Sequence, residues 1–364
     1  MSRMEAKPWI TLQLCPALSP LLRRRLLERY GEAHAVIAAP GAELLEAGLT
    51  PAVLNWLRQP DPAVIAPCID WIAGEGAHLV PFTDERFPPL LREIDDPPAA
   101  LFVLGQVAAL AEPQLAIVGS RAATPLGRST AMDFSRALAR RGLCIASGLA
   151  EGIDAAAHEA ALDCGGITVG VCATGLDRIY PRRNKVLARR IAAGGALISE
   201  NPPGIELQQW MFPRRNRIIS GMSAGVLVVE AAARSGARIT ARAAAEQGRE
   251  VFAVPGSIHS PQSRGCHALI RAGAKLVERP GDVLEELPAL LQIGGAEAPE
   301  QAALEPAPGE LPLVGGLLRQ GPLGMDELVR QTGLDASELA AALTRMELEG
   351  RVHSLPGGRF QYGR

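Results

Sequence analysis

The sequence predicts an α/β protein: a doubly wound parallel sheet, with a small helical module before it and a winged-helix domain after it. Three observations carry this prediction. Seven short apolar runs, rich in β-branched residues, recur between residues 100 and 254 with glycine turns and helical stretches between them. Continuous runs of this kind suit parallel strands buried on both faces. Residues 1–75 repeat a cap-then-proline signal that opens helices. Beyond residue 310, helical periodicity is followed by the pattern of a β-hairpin.

In the N-terminal module, Ser19-Pro20 opens an amphipathic stretch over 21–30 that Gly31 ends. Thr50-Pro51 precedes Val53, Leu54, Trp56 and Leu57, and Asp61-Pro62 precedes Val64, Ile65, Ile69, Trp71 and Ile72. Short helices joined by glycine-containing turns fit a helix-hairpin-helix or sterile-alpha-motif-like module, or a plain docking bundle. The strand runs are 100–104, 115–118, 143–146, 167–172, 196–198, 226–229 and 251–254, with helices such as 128–141 and 152–163 between them. They place a doubly wound domain over 78–293. Residues 294–310 are almost devoid of large apolar side chains and read as a linker. In the tail, 311–364, Asp335 caps a helix with Glu338 three residues on. Leu339, Leu343 and Met346 line one face of it, and Gly350 ends it. Residues 352–355 and 360–362, joined by Pro356-Gly357-Gly358, form the hairpin of a winged helix.

Composition narrows the function. The net charge is −2, from 37 basic and 39 acidic residues, so any nucleic-acid site must be a local basic patch. Seven Phe, four Trp and three Tyr are too few for a face that stacks many bases. The six cysteines show no C-x-x-C pair and no histidine at a ligand interval, so no metal and no disulfide framework is predicted. Cys144 and Cys172 fall within strand runs, as small buried thiols. No apolar run reaches the roughly 18 residues of a membrane span, and the first 20 residues lack a signal peptide's apolar core. A cytoplasmic protein without membrane contact is expected.

Candidate chemistry sits where strands end. Gly119, Ser120 and Arg121 follow the run 115–118. In open α/β sheets ligands bind beyond the carboxyl ends of the strands, and a helix N-terminus there favours anions. Glycine admits a ligand to the backbone and arginine adds bidentate phosphate recognition; a βα turn with a solvated arginine is the plain alternative. With no G-x-G-x-x-G and no Walker lysine, no nucleotide cofactor is predicted. Ser147, Gly148, Gly152 and Asp154 form a second loop, with His158 one helical turn beyond Asp154. They read as loop-ordering residues supported by His158, and only secondarily as an acid–base pair.

Two basic clusters share the predicted rim: Tyr180-Pro181-Arg182-Arg183-Asn184-Lys185, and Phe212-Pro213-Arg214-Arg215-Asn216-Arg217. Basic charge near a helix N-terminus opposes the helix dipole unless an anion sits there. Arg214, Arg215, Asn216 and Arg217 are therefore candidates to clamp a nucleic-acid backbone, with Phe212 offering a stacking face or packing in the core. Glu230, at the end of the run 226–229, supports a rival reading: a nucleotide-processing enzyme of phosphoribohydrolase type with Glu230 as acid. The missing Gly-Gly loop counts against it.

Taken in order, GSR, SGLAEGID, FPRRNRIISGMS, VVEAAARSGARITA, VPG and the segment from Gly265 to Ala274 resemble the DNA-processing protein A family, also called DprA or Smf. The resemblance runs from about residue 82 to 287. It implies an extended Rossmann-like fold and a non-catalytic, homodimeric protein of natural transformation. Such a protein binds incoming single-stranded DNA, protects it and helps load the RecA recombinase. It also implies pocket roles for Arg121, Arg215, Arg217 and Lys185. His267 stands where the family usually has asparagine, and Met222 replaces a usual leucine. The tail balances six basic against six acidic residues from 311 onward, so a protein contact is expected of it, with weak DNA contact through Arg351 and Arg359 as the second option.

Overall fold

The structure, a computed structural model, describes residues 3–287, 312–348, 351–355 and 357–362. The predicted linker 294–310 and the helix stop at Gly350 lie outside the described residues. Two compact units are present: one holds the N-terminal helices and a nine-stranded sheet, the other holds the tail.

Six helices open the chain: α1 (Arg3–Gln13), α2 (Pro20–Tyr30), α3 (Ala33–Ala38), α4 (Gly41–Glu46), α5 (Pro51–Arg58) and α6 (Pro62–Ile72). The predicted caps hold. Ser19 accepts from the Leu22 amide, Thr50 from Val53 and Asp61 from Ala63. Gly31 ends α2 at φ 77°, a left-handed conformation that glycine adopts without strain. The boundary near residue 76 separates helices from strands but not cores. Trp9, Ile10, Leu26 and Leu57 belong to the same buried cluster as Phe102, Leu187 and Leu197. Gln13 stitches the two parts further, accepting from the Ala99 amide at 2.7 Å and donating to the Glu200 carbonyl at 3.1 Å.

The strands are β1 (Ala77–Pro81), β2 (Ala100–Gly105), β3 (Gln114–Val118), β4 (Cys144–Ser147), β5 (Thr168–Val171), β6 (Ala196–Ser199), β7 (Gly225–Val228), β8 (Glu250–Ala253) and β9 (Lys275–Leu276). Their order is β1-β2-β6-β5-β4-β3-β7-β8-β9. From β6 to β9 all neighbours are parallel. The sheet is not wholly parallel as predicted, because β2 runs antiparallel to both β1 and β6. The chain winds outward from β3 through β4, β5 and β6, then crosses back to β7. The order therefore reverses beside β3, which makes the β3/β7 boundary the topological switch point.

Between the strands lie α7 (Pro89–Glu93), α8 (Pro125–Ala139), α9 (Ile153–Asp163), α10 (Lys185–Gly194), α11 (Met211–Gly221), α12 (Gly236–Glu246), α13 (Arg264–Arg271) and α14 (Pro280–Glu286). Successive β3 residues face opposite ways. Leu115 and Ile117 pack with Phe134 and Leu138 of α8 and with Ala156 of α9, whereas Ala116 and Val118 pack with Ile218 of α11 and Ala241 of α12. Both faces are thus buried, and each large apolar side chain contributes about 1.5–3 kcal/mol. In the tail, helices Pro312–Gln320, Met325–Thr332 and Ala336–Leu348 join a three-stranded sheet, β10 (Leu323–Gly324), β11 (Val352–Leu355) and β12 (Arg359–Tyr362). Leu339, Leu343 and Met346 form its core with Val314, Leu328 and Val352.

Candidate nucleic-acid interface

Two loops meet at the switch point, and glycines let them. Gly152 has φ 79°, and a Cβ there would strike the carbonyls of Ser120 and Arg121. A Cβ on Gly119 would come within 2.5 Å of Ile153 Cγ1. The Ile153 amide donates to the Ser120 carbonyl at 3.2 Å, closing the contact. Asp154, buried, orders the second loop by accepting from the Gly148 amide at 3.1 Å and the Ala150 amide at 3.4 Å. Burial pushes its carboxyl pKa up, and the neighbouring Arg215 charge opposes that rise. Ser147 ties β4 to β3 through a 2.6 Å bond to the Ile117 carbonyl.

Asn184 was not singled out from the sequence as loop-ordering. Its amide donates to the carbonyls of Leu149 at 2.9 Å and Ala150 at 3.1 Å, so it anchors the loop from the start of α10. The available signal was an asparagine directly before a helical run. His158 does not support the loop as expected. It lies on α9, where Nδ1 meets the Thr168 hydroxyl of β5 at 2.6 Å. That hydroxyl donates to the Ile145 carbonyl, so the imidazole is the donor toward it.

Burial lowers the His158 pKa from 6.5 to about 3. A depressed pKa contributes stability above the unfolded value of 6.5, and the contribution is lost as pH falls from 6.5 toward 3. The loss is about 1.4 kcal/mol per pH unit. Between pH 7 and 5.5 the melting temperature of His158→Gln is therefore expected to fall less steeply than that of the parent chain. Parallel curves would place the acid sensitivity elsewhere.

Gly119, Ser120, Arg121, Asp154, Phe212, Arg215 and Asn216 line one cleft of about 530 Å³, closed on its far side by Ser235 and Gly236 at the start of α12. A smaller cavity of about 160 Å³ adjoins it, lined by Arg121, Gly148, Tyr180, Phe212 and Arg215. Phe212 stands between the two, half-buried rather than in the core. The exposed Arg121 guanidinium lies 5.1 Å from its ring centroid, and the Tyr180 ring lies 5.7 Å from it. An exposed cation over an aromatic ring, beside the Ser235-capped start of α12, suits a phosphate with a base attached.

The arginines of α11, grouped together in the sequence, divide in the structure. Arg215 is buried, and its Nη1 donates to the Gly148 carbonyl at 2.5 Å and to the Val171 carbonyl. Asn216 is buried too, accepting from Arg215 Nε at 3.2 Å. Arg217 points away from the cleft. It pairs with Glu200, and its Nε lies 3.2 Å from Asp96, which Arg23 also holds at 3.0 Å. Arg214 joins the same group, 3.3 Å from the buried Glu200. Lys185 lies apart, lining a different cavity with Leu104, Leu176 and Ala188. The departure at His267 closes a turn, its Nε2 sitting 3.0 Å from the Gly256 carbonyl. Among the described residues no cluster of His, Cys, Asp and Glu is arranged to hold a metal ion. No described helix is long and apolar enough to cross a membrane.

Because Arg217 holds the sheet to the segment before β2, Arg217→Ala is expected to cost about 1–2 kcal/mol of stability. Arg214 still partners Glu200, which keeps the loss below that of an isolated buried charge. Melting curves test this. A salt dependence of DNA binding that flattened in the mutant with no change in melting would return Arg217 to the DNA site.

The family model for DNA recombination-mediator protein A matches residues 78–288, which span the sheet and both loops, and the DprA winged helix domain matches 297–358. The chain belongs to the DNA recombination-mediator protein A family. It is 44% identical to Protein Smf of Escherichia coli K12 over 296 residues, 79% of this chain and 78% of that protein. DNA processing protein A of Streptococcus pneumoniae matches in structure with a TM-score of 0.68 at 37% identity, covering 79% of this chain and 98% of that one. A structure of the Helicobacter pylori protein, described for its single-stranded DNA binding mode, matches with a TM-score of 0.52 at 29% identity, over 56% of this chain and 93% of that one. The family's matched region thus contains the β3/β7 switch point and every residue of the cleft.

Proposed function

We propose that the chain is a non-catalytic mediator of recombination that binds single-stranded DNA along the rim at the β3/β7 switch point. Arg121 carries the reading: exposed, stacked on Phe212 and facing the start of α12, it presents a cation where the loops leave room for a phosphate. The site reads backbone rather than sequence, since Arg121 and backbone amides meet phosphates and one aromatic pair meets bases. The similarity to a protein known by its single-stranded DNA binding mode supports this. The family's description as a recombination mediator fits a further role in helping RecA assemble on the strand; protection of incoming strands, a homodimeric state and a cytoplasmic location belong to the same proposal.

A single-stranded oligonucleotide and its duplex, compared by gel shift at two salt concentrations, test the binding reading. Tighter binding of the single strand at both is expected, with little dependence on sequence. Equal affinity for the duplex would overturn it. Steady release of base from nucleoside monophosphates, lost in Glu230→Gln, would instead establish the enzymatic reading.

A further inference from the structure

Three of the four tryptophans have structural tasks. Trp9 is buried in the N-terminal core, the Trp56 indole donates to the Thr11 carbonyl at 3.0 Å, and Trp71 meets Phe102 edge-on at 5.9 Å. Trp210 differs. The residue is 52% exposed, just before α11, with the Arg214 guanidinium 5.8 Å from its ring centroid.

Arg214 is itself placed. Its Nε lies 3.3 Å from Glu200, a carboxylate 3% exposed at the end of β6. Glu200 also pairs with Arg217, and Asp96 pairs with both Arg23 and Arg217. Three guanidinium groups thus share two carboxylates, and the surplus positive charge comes to the surface at Arg214, 40% exposed. The pair stands at the β6 end of the rim, whereas Arg215, under the cleft, is tied to the end of β5. Phe212, two residues after Trp210, lies under the Arg121 guanidinium at the cleft and meets the Tyr180 ring at a tilt. Cation and aromatic therefore occur twice on one rim, Arg121 with Phe212 beyond β3 and Arg214 with Trp210 near the end of β6.

We propose that Trp210 and Arg214 form a second stacking step outside the cleft, taking a base and phosphate of the same single strand that Arg121 and Phe212 hold. This rests on the single-stranded DNA reading above. Trp210 offers its open ring face to the base, and the anchored guanidinium meets the adjoining phosphate. The strand would then leave the cleft toward β6 rather than toward β8.

Tryptophan emission of the full chain, titrated with a thymidylate 20-mer alongside polarisation of a labelled copy, tests the step. The parent chain is expected to be quenched on binding, and an abasic oligomer is expected to bind without quenching. Trp210→Phe should keep affinity within about twofold while losing most of the quench. Trp210→Ala should weaken binding at least about fivefold, the lower end of what one lost stacked base costs. Melting temperatures should not move, since the side chain is exposed. An unchanged quench in Trp210→Phe, or unchanged affinity in Trp210→Ala, would overturn this step while leaving the cleft intact. If the parent chain bound no oligomer, the single-stranded DNA reading would fail and this step with it.

Discussion

Replacing Arg215 with alanine is expected to lower the melting temperature of the sheet unit by about 5–8 °C. The side chain is 5% exposed and runs beneath the loop after β4. It joins the Gly148 carbonyl, the Val171 carbonyl and the Asn216 side chain in one hydrogen-bonded group. Burial pulls the guanidinium pKa down, and the charge of Asp154 works against that pull. Truncation leaves two carbonyls without this donor and the buried Asp154 without its neighbouring cation. Removing one member of a buried charged pair costs about 3–5 kcal/mol. Unfolding entropy is about 2.1 cal/mol/K per residue, which for a unit of this size converts that cost into the shift above. Arg215→Lys is expected to recover little, because an ammonium cannot span the same set of acceptors as a planar fork. Gly148 shows how closely the guanidinium is enclosed, since a Cβ there would lie 2.7 Å from Arg215 Nη1. Thermal melts of both variants test this. An unchanged melt with weakened DNA binding would mean that the guanidinium acts on DNA and not on the loops.

Arg215 also shows where sequence reasoning stops. All seven predicted strand runs overlap observed strands, because a continuous β-branched run has few other ways to be buried. Two strands of the nine-stranded sheet were invisible, as was β10 in the tail. β1 carries an exposed histidine and ends in proline, and β9 is two exposed residues long. The reversal of β2 was invisible too, because apolar runs do not encode strand direction. Motif order located the rim, and the loops of Gly119 to Arg121 and Ser147 to Asp154 do meet there. The roles of the α11 arginines were not legible. Successive helical residues turn about 100°, so Arg214, Arg215 and Arg217 leave the helix in different directions. Which of them is neutralised depends on Glu200 and Asp96; the latter lies 121 residues before Arg217. Tyr180 was visible as part of a basic cluster, yet its contact with Phe212 needed the fold.

Arg121→Glu is expected to weaken single-stranded DNA binding at least roughly tenfold at moderate salt, with the melting temperature unchanged. Arg121 is exposed beyond β3 and stacks on Phe212, and it lies outside the three buried clusters of its unit. A charge-assisted hydrogen bond lost to phosphate costs about 1.5–3 kcal/mol, and the new carboxylate adds repulsion. Since about 1.4 kcal/mol is one decade of affinity, tenfold is the lower bound. Arg121→Ala should fall less and flatten the log–log salt slope by roughly 0.7, the single-strand value for one phosphate contact. Because Arg217 faces Glu200 and Asp96 rather than the cleft, Arg121→Ala and Arg217→Ala should act on different readouts: slope for the first, melting for the second. Salt titrations of binding beside melting curves separate the two. Unchanged affinity and slope in Arg121→Glu would remove this loop from the DNA site. A collapsed melting temperature would make Arg121 a structural residue, and the phosphate would have to be sought at another cation of the rim, with Arg214 the first to test.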